Sequence, residues 1–159
     1  FNNEARAETI RNELKKKYTF CFFPKSGYLP ILKPNIIKNN FRITKKNNSI
    51  YIKSFDVDHG MIKATGYVFE KICYISDCNN IDKKNYKHLK GLRYLIIDCL
   101  RIKKHPSHFN LDEAVKISNF LNPKKTILTN LHVDFDYKTL KKMMPSNIIP
   151  AYDGLKFNF

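Results

Sequence analysis

The chain has 159 residues, enough for one domain with a hydrophobic core and short for two. Hydrophobic residues make up 43% of the chain and aromatic residues 13%, a globular composition that excludes a disordered tail. No apolar run approaches the 18 residues of a membrane span and no secretory signal opens the chain, so we expect a cytoplasmic protein without a membrane partner.

The formal net charge of +15 raises the question of a nucleic-acid partner. Arginine, the residue best suited to phosphate and base contacts, supplies only five of the 29 basic residues. The lysines are spread among many asparagines, as in NNFRITKKNN, which is more typical of a solvated surface than of a binding groove. Composition therefore disfavours nucleic-acid binding without excluding it.

The cysteines lie among apolar residues and form no CxxC pair, so we expect reduced and mostly buried thiols. They are Cys21, Cys73, Cys78 and Cys99.

The first third of the chain predicts a helix and then a strand. Residues 4–17 place Ile10 and Leu14 at helical spacing among many charges, typical of an amphipathic surface helix. TFCFF at 19–23 favours a short strand, and PKSGYLP after it favours a turn. The chain opens directly on the helix without an initiator Met, so we expect that it was trimmed or that a segment precedes it.

The middle of the chain predicts strands. Alternating Ile50 and Ile52 indicate one strand, and TGYVFEKICYISDC predicts a hairpin that turns at Glu70 and Lys71. LRYLIIDCL at 92–100 is nearly all apolar, as expected of a strand buried on both faces.

The last third alternates helices and strands. A helix begins at Asn110 or Asp112 and ends before Pro123, KTILTN forms a buried strand, DYKTLKKMM is a second helix, and IIPAYDGLKFNF closes as strand and turn. This alternation predicts an α/β layer with helices packed on a sheet.

Polar residues with ligand chemistry follow several predicted strands, where ligands collect in α/β sheets. Imidazole and carboxylate groups suit Zn, Mn or Fe, so a metal site built from separate loops is indicated. The residues are His59, Asp77, Asp98, His108 and His132.

Each of these residues also has a structural explanation. Asp77 before CNN favours an Asx turn on spacing alone, and His59 before Gly60 fits a turn. His132, followed by Asp134 and Asp136, fits helix capping with Asp136 as the cap. His88 in YKHLKG is expected to face solvent.

Two histidines stand three residues apart in RIKKHPSHFN. Because His105 and His108 flank Pro106 in a predicted loop, they need not face the same way, and a shared metal is not implied.

Taken together, the segments CYISDCNNI, HPSHFNLDEAV, LTNLHVDFDY and AYDG resemble the C-terminal half of metallo-beta-lactamase-fold hydrolases of the PhnP-like phosphodiesterase group. The resemblance runs from about residue 5 to the C-terminus. It implies an α/β fold, the C-terminal part of an αββα sandwich, with a mixed sheet, helices on its outer face and residues 1–159 in a single partial domain.

The resemblance also implies a site with two divalent metal ions, Zn or Mn. His59 matches a ligand of the first metal, Asp77 the bridging aspartate and His132 the last ligand of the second metal, although the commoner LTH form has histidine where this chain has Asn130. His108 matches a catalytic, substrate-side histidine, and His105 a loop or supporting residue.

The HxHxDH signature of that family is absent from the 159 residues. His59, Asp77 and His132 then supply at most two ligands per ion, against three at a typical catalytic zinc site. We therefore expect weak or absent metal binding and no significant hydrolase activity from this chain alone.

Loss of the segment that bears HxHxDH would also expose the inner face of the sheet. We therefore expect the chain to pair with an N-terminal part of the same domain, to form a homo-oligomer or to aggregate.

The leading hypothesis is the C-terminal portion of a binuclear phosphodiesterase acting on a cyclic or small phosphodiester. The alternatives are an RNA-processing nuclease of the same fold and a catalytically dead remnant that serves as an assembly module.

Overall fold

The computed structural model describes residues 3–25, 27–37 and 40–158. The chain divides into two compact units, Phe1–Lys38 and Asn39–Phe159. No helix in the described ranges is both long enough and apolar enough to cross a membrane.

The first unit contains two helices, α1 (Asn3–Lys17) and α2 (Thr19–Phe22). The prediction of a helix at 4–17 is confirmed, although Ile10 and Leu14 are exposed. The prediction of a strand at TFCFF is wrong, because the amide of Phe23 donates to the carbonyl of Thr19 at 2.9 Å and closes a helical turn.

The second unit is built on a seven-stranded mixed sheet in which the strands lie in chain order. Neighbouring strands pair antiparallel from β1 through β4, and neighbouring strands pair parallel from β4 through β7. The strands are β1 (Asn40–Lys45), β2 (Asn48–His59), β3 (Ile62–Phe69), β4 (Ile72–Ile75), β5 (Tyr94–Asp98), β6 (Lys125–Thr129) and β7 (Ile148–Pro150). The strand β1 was not predicted, because it lies within the segment NNFRITKKNN, whose lysines and asparagines were interpreted as a solvated surface.

Helices connect the parallel strands, which confirms the α/β prediction. A 3₁₀ helix (Lys83–His88) precedes β5, α3 (Leu111–Leu121) precedes β6, and α4 (Tyr137–Met143) precedes β7. The predicted caps are present: Asn110 and Glu113 form a capping box on α3, and the Asp136 carboxylate accepts from the amide of Thr139 on α4.

The hydrophobic core lies between the sheet and these helices. A hydrogen bond of 2.6 Å between the hydroxyls of Ser118 and Thr126 connects α3 to β6. The prediction of buried thiols is confirmed for Cys73, Cys78 and Cys99, which are free and fully buried. Burial raises the pKa of Cys78 and of Cys99 to about 12, so these thiols stay protonated and unreactive at neutral pH.

Candidate metal centre

The carboxyl ends of four strands meet at one edge of the sheet. Because β2 and β4 both run antiparallel to β3, they run in the same direction, and β5 and β6 run parallel to β4. His59 therefore ends β2 at the same edge where Asp77 follows β4, Asp98 ends β5 and Asn130 follows β6.

His59, Asp77 and His108 converge at this edge, each with one possible ligand atom, and these atoms lie within 4.8 Å of one another. In the part of the chain that the structure describes, no other group of three or more His, Cys, Asp or Glu could hold a metal ion. Two imidazoles and a carboxylate form a donor set that fits Zn or Mn.

His59 is oriented by the loop that carries Ser107. Its Nδ1 lies 2.8 Å from the carbonyl oxygen of Ser107 and must donate to it, because a carbonyl only accepts. The lone pair of Nε2 is therefore free to bind an ion. This close approach requires Gly60, which has φ +62°, and a Cβ atom there would lie 3.0 Å from the Cβ of Ser107.

His108 is oriented by a buried carboxylate. Its Nδ1 lies 2.7 Å from Oδ2 of Asp98, whose side chain is fully buried, and the rings of His59 and His108 lie 4.6 Å apart. The amide of Cys78 donates to the same oxygen at 2.8 Å. Burial raises the pKa of Asp98, and the hydrogen bonds it accepts oppose that rise. With Nδ1 donating to Asp98, Nε2 of His108 is the atom that can enter the metal group.

Asn130 supports this arrangement from β6. Its Nδ2 lies 3.2 Å from Oδ1 of Asp98, 3.4 Å from the carbonyl of Ser76 and 3.3 Å from Nδ1 of His108. Since Nδ1 of His108 is itself a donor, the partners of the amide are Asp98 and Ser76. Asn130 thus joins the ends of three strands.

Asn79 positions the loops around the centre. Its Oδ1 accepts from the amide of Gly60 at 3.0 Å, and its Nδ2 donates to the carbonyl of Pro106 at 3.0 Å. Asn79 was not predicted as a site residue from the sequence, and Asp98 was predicted only as a candidate ligand at the end of a strand and not as the partner of His108.

His132 lies outside the group of three. Its side chain is half-exposed, and its Nδ1 lies 3.1 Å from Oδ1 of Asp134. Its assignment as a metal ligand stays a prediction, as does the catalytic role of His108. His105 is also outside the group, with its ring 5.0 Å from that of His108. His88, expected to face solvent, is half-buried instead, with Lys53 at 3.4 Å.

Comparisons with solved structures show what this chain is similar to. A diphosphatase from the PhnP family is 31% identical with a TM-score of 0.71, over 77% of this chain and 47% of that one. The short form of human tRNase Z is 17% identical with a TM-score of 0.56, over 74% and 44%, and the metallo-beta-lactamase fold protein YhfI from Bacillus subtilis is 14% identical with a TM-score of 0.53, over 72% and 50%. The chain thus spans about half the length of these structures, and the last two likenesses show the fold alone.

Among curated proteins, an octanoyltransferase of Porphyromonas gingivalis is 26% identical over 151 residues, which cover 94% of this chain and 30% of that protein. The family model of the beta-lactamase superfamily domain matches residues 6–130, across the boundary between the two units. Since this match covers most of the chain and confirms the resemblance noted in the sequence, the chain belongs to the beta-lactamase superfamily domain family.

Proposed function

We propose that this chain is the C-terminal portion of a binuclear metal-dependent phosphodiesterase that acts on a cyclic or small phosphodiester. The observation that carries the proposal is the group His59, Asp77 and His108, in which hydrogen bonds at Nδ1 leave Nε2 of both imidazoles free. The 31% identity to a diphosphatase from the PhnP family supports hydrolysis at a phosphoryl group.

In this proposal His59 would be a ligand of the first ion, Asp77 would be a ligand shared by both ions and His132 would be the last ligand of the second. Bound Zn or Mn supplies polarisation of the phosphoryl oxygen and acidification of water. A catalytic zinc normally takes three protein ligands, so two ions need more than these residues offer. We propose that an N-terminal part of the same domain or a second copy of the chain completes the site, and that the 159 residues alone bind metal weakly and hydrolyse little.

His108 has the substrate-side role in this proposal. The buried carboxylate of Asp98 holds the ring in one orientation through Nδ1, so that in the doubly protonated ring the second N–H, at Nε2, would donate to a phosphate oxygen or to the leaving oxygen. The same geometry would also suit a metal ligand, since ligating histidines commonly donate their second N–H to a carboxylate.

The test is to assemble the chain with an upstream segment of the same protein, to add Mn or Zn, and to assay bis-p-nitrophenyl phosphate and a cyclic phosphodiester. We expect Asp77→Asn to lose bound metal and to lower turnover by about 100-fold or more. We expect His108→Ala to lower turnover while both ions stay bound; loss of metal in that variant would make His108 a ligand instead. If the assembly keeps two ions and cleaves neither substrate, the proposal fails.

An RNA-processing nuclease of the same fold is the second candidate, favoured by the net charge of +15. A precursor tRNA in the same assay separates the two, because only the nuclease would cleave it in preference to the small diesters. A remnant without activity would cleave none of the three. We also propose a cytoplasmic location, supported by the free buried thiols.

A further inference from the structure

The hairpin of β1 and β2 extends past the rest of the sheet. β1 pairs with β2 from Asn40 opposite Lys53 to Lys45 opposite Asn48, whereas β3 pairs with β2 only from Ile52 onward. Residues 42–51 therefore form a two-stranded ribbon, all of it exposed, at the end of β2 opposite to His59.

The two faces of the ribbon differ in chemistry because side chains alternate along a strand. Phe41, Ile43, Ile50 and Ile52 share the apolar face. The other face carries Arg42 directly opposite Tyr51, followed by Lys53. Tyr51 as a residue is 51% exposed.

The cationic face continues onto the 3₁₀ helix. Nζ of Lys53 lies 3.4 Å from Nδ1 of His88. Burial lowers the pKa of His88, and the positive charges of Lys53 and Lys87 act in the same direction, so both lysines lie near this ring. We name Arg42, Tyr51, Lys53, Lys87 and His88 the basic strip.

The charge of the basic strip is not neutralised locally. The sequence has no acidic residue from position 40 to 55. In the described ranges, no ion pair with an acidic group involves Arg42, Lys53 or Lys87, and the nearby Asp82 is paired with Lys84 at 2.9 Å. A polyanion could therefore meet three cations that no acidic side chain of the described residues neutralises.

We infer that the basic strip binds single-stranded nucleic acid. Surfaces that bind single strands combine two elements, cations that follow the phosphate backbone and exposed aromatic rings on which bases stack. An exposed tyrosine can stack only on an unpaired base. An anionic membrane fits less well, because it needs apolar side chains and cations on the same side. The exposed isoleucines of this ribbon lie opposite to Arg42 and Lys53, and among the paired residues of the hairpin only one cation, Lys45, shares their face.

The strip is separate from the candidate metal centre. Lys53 and His59 are six residues apart on β2, which corresponds to about 20 Å along an extended strand. The inference therefore stands independently of the proposed hydrolase activity.

The experiment measures binding of the full 159-residue chain to a fluorescent 12-nucleotide oligo-U RNA by anisotropy at several salt concentrations. The strip variant is Arg42→Gln, Lys53→Gln and Lys87→Gln together. The matched control is Lys116→Gln, Lys124→Gln and Lys138→Gln, which removes the same charge from exposed positions elsewhere. Thermal unfolding of each variant verifies that it is folded.

We expect the strip variant to bind about 10-fold more weakly or worse, and its plot of log K against log salt to lose about 2 units of slope, while the control changes affinity less than 3-fold. Tyr51→Ala should weaken binding about 5-fold and leave the salt slope unchanged. Equal losses in the strip variant and the control would overturn the inference. Equal affinity for duplex RNA, or strip-dependent binding to phosphatidylserine vesicles that exceeds binding to RNA, would overturn it as well.

Discussion

Asn130 has a backbone conformation that most residues avoid, with φ +61°. Its side chain meanwhile donates to Asp98, a carboxylate that is fully buried and whose pKa is raised by that burial. Asparagine is suited to both requirements, because it tolerates the left-handed region and its amide carries two donors.

Replacing Asn130 should separate these two requirements. Asn130→Ala removes the donor and strains the backbone, and we expect it to lower the free energy of unfolding by about 1–3 kcal/mol. Asn130→Gly removes only the donor, since glycine accepts positive φ, and should cost less. Urea denaturation of both variants measures the difference. A wild-type midpoint for Asn130→Ala would show that the amide does not support the site.

At the scale of single residues, the sequence predicted which candidate ligands lie at the ends of strands. It did not predict which loop residues contact those ligands. His59, Asp77 and His108 were candidates because each follows a predicted strand. The contacts of these side chains depend on how the loops cross in space, which the sequence does not reveal. Nδ1 of His59 contacts Ser107, and Asp98 orients His108. His132 instead pairs with Asp134.

Gly66 on β3 lies close to side chains of both neighbouring strands, β2 and β4. A Cβ atom at this position would lie 2.6 Å from Cζ of Phe55 and 3.2 Å from Cγ1 of Ile75. Both side chains are buried in the core, so neither has free space to move into.

Gly66→Ala should therefore overpack the core and lower the free energy of unfolding by about 1–3 kcal/mol. Combining it with Phe55→Leu removes the ring that causes the closest contact, and the double variant should lose less than the sum of the two single variants. Thermal and urea unfolding of the four proteins test this. Additive losses would contradict a direct clash with Phe55.

The N-terminus of α4 should give stability a pH dependence. Hydrogen bonds from Thr139 hold the pKa of Asp136 below the usual range of an aspartate. A carboxylate whose pKa is lower in the folded state than in the unfolded state stabilises the fold. This contribution is fully present at pH values above the pKa in the unfolded state, and it is lost as the pH falls through the pKa in the folded state.

Asp136→Asn tests this, because asparagine also caps helices and carries no charge. We expect the stability difference between wild type and variant to be constant above about pH 5 and to shrink progressively below pH 4. Urea midpoints measured across that range give the result. Parallel curves down to the acid unfolding transition would show that the Asp136 charge is unimportant.

For the elements, the sequence predicted those with clear periodicity and caps. Asn110, Asp136 and Pro123 marked helix boundaries that the structure confirms. It failed at β1, where cations and asparagines obscured the alternation of Phe41 and Ile43, and at α2, where a β-rich composition formed a helical turn. Both failures occur where local composition and observed conformation disagree.

At the scale of the whole molecule, one face of the sheet carries a row of apolar residues in register. Tyr67 pairs with Tyr74, which pairs in turn with Ile96, Ile127 and Ile149 across five strands. This row lies on the face away from α3, because Ile127 alternates with Thr126, which bonds to that helix. An apolar face of this kind supports the proposal that a further part of the domain, or a second copy, packs against the chain.

The metal proposal makes a prediction about the stability of the whole chain. An ion that binds only the folded state stabilises it by RT ln(1 + [L]/Kd), which is about 1.4 kcal/mol at ten times Kd. For a chain of this length, that corresponds to a rise in Tm of about 3–6 °C.

Because one imidazole-carboxylate group offers few ligands, we expect this rise in Tm only at roughly millimolar Mn or Zn, measured by differential scanning fluorimetry. Asp77→Asn should abolish the rise, and Glu13→Gln, which changes an exposed carboxylate outside the group, should preserve it. His132→Ala tests the remaining ligand: a smaller rise would make His132 a ligand, and an unchanged rise would exclude His132 from the metal centre in this chain. A full rise in Asp77→Asn would mean that the ion binds elsewhere and would remove the metal centre from this edge of the sheet.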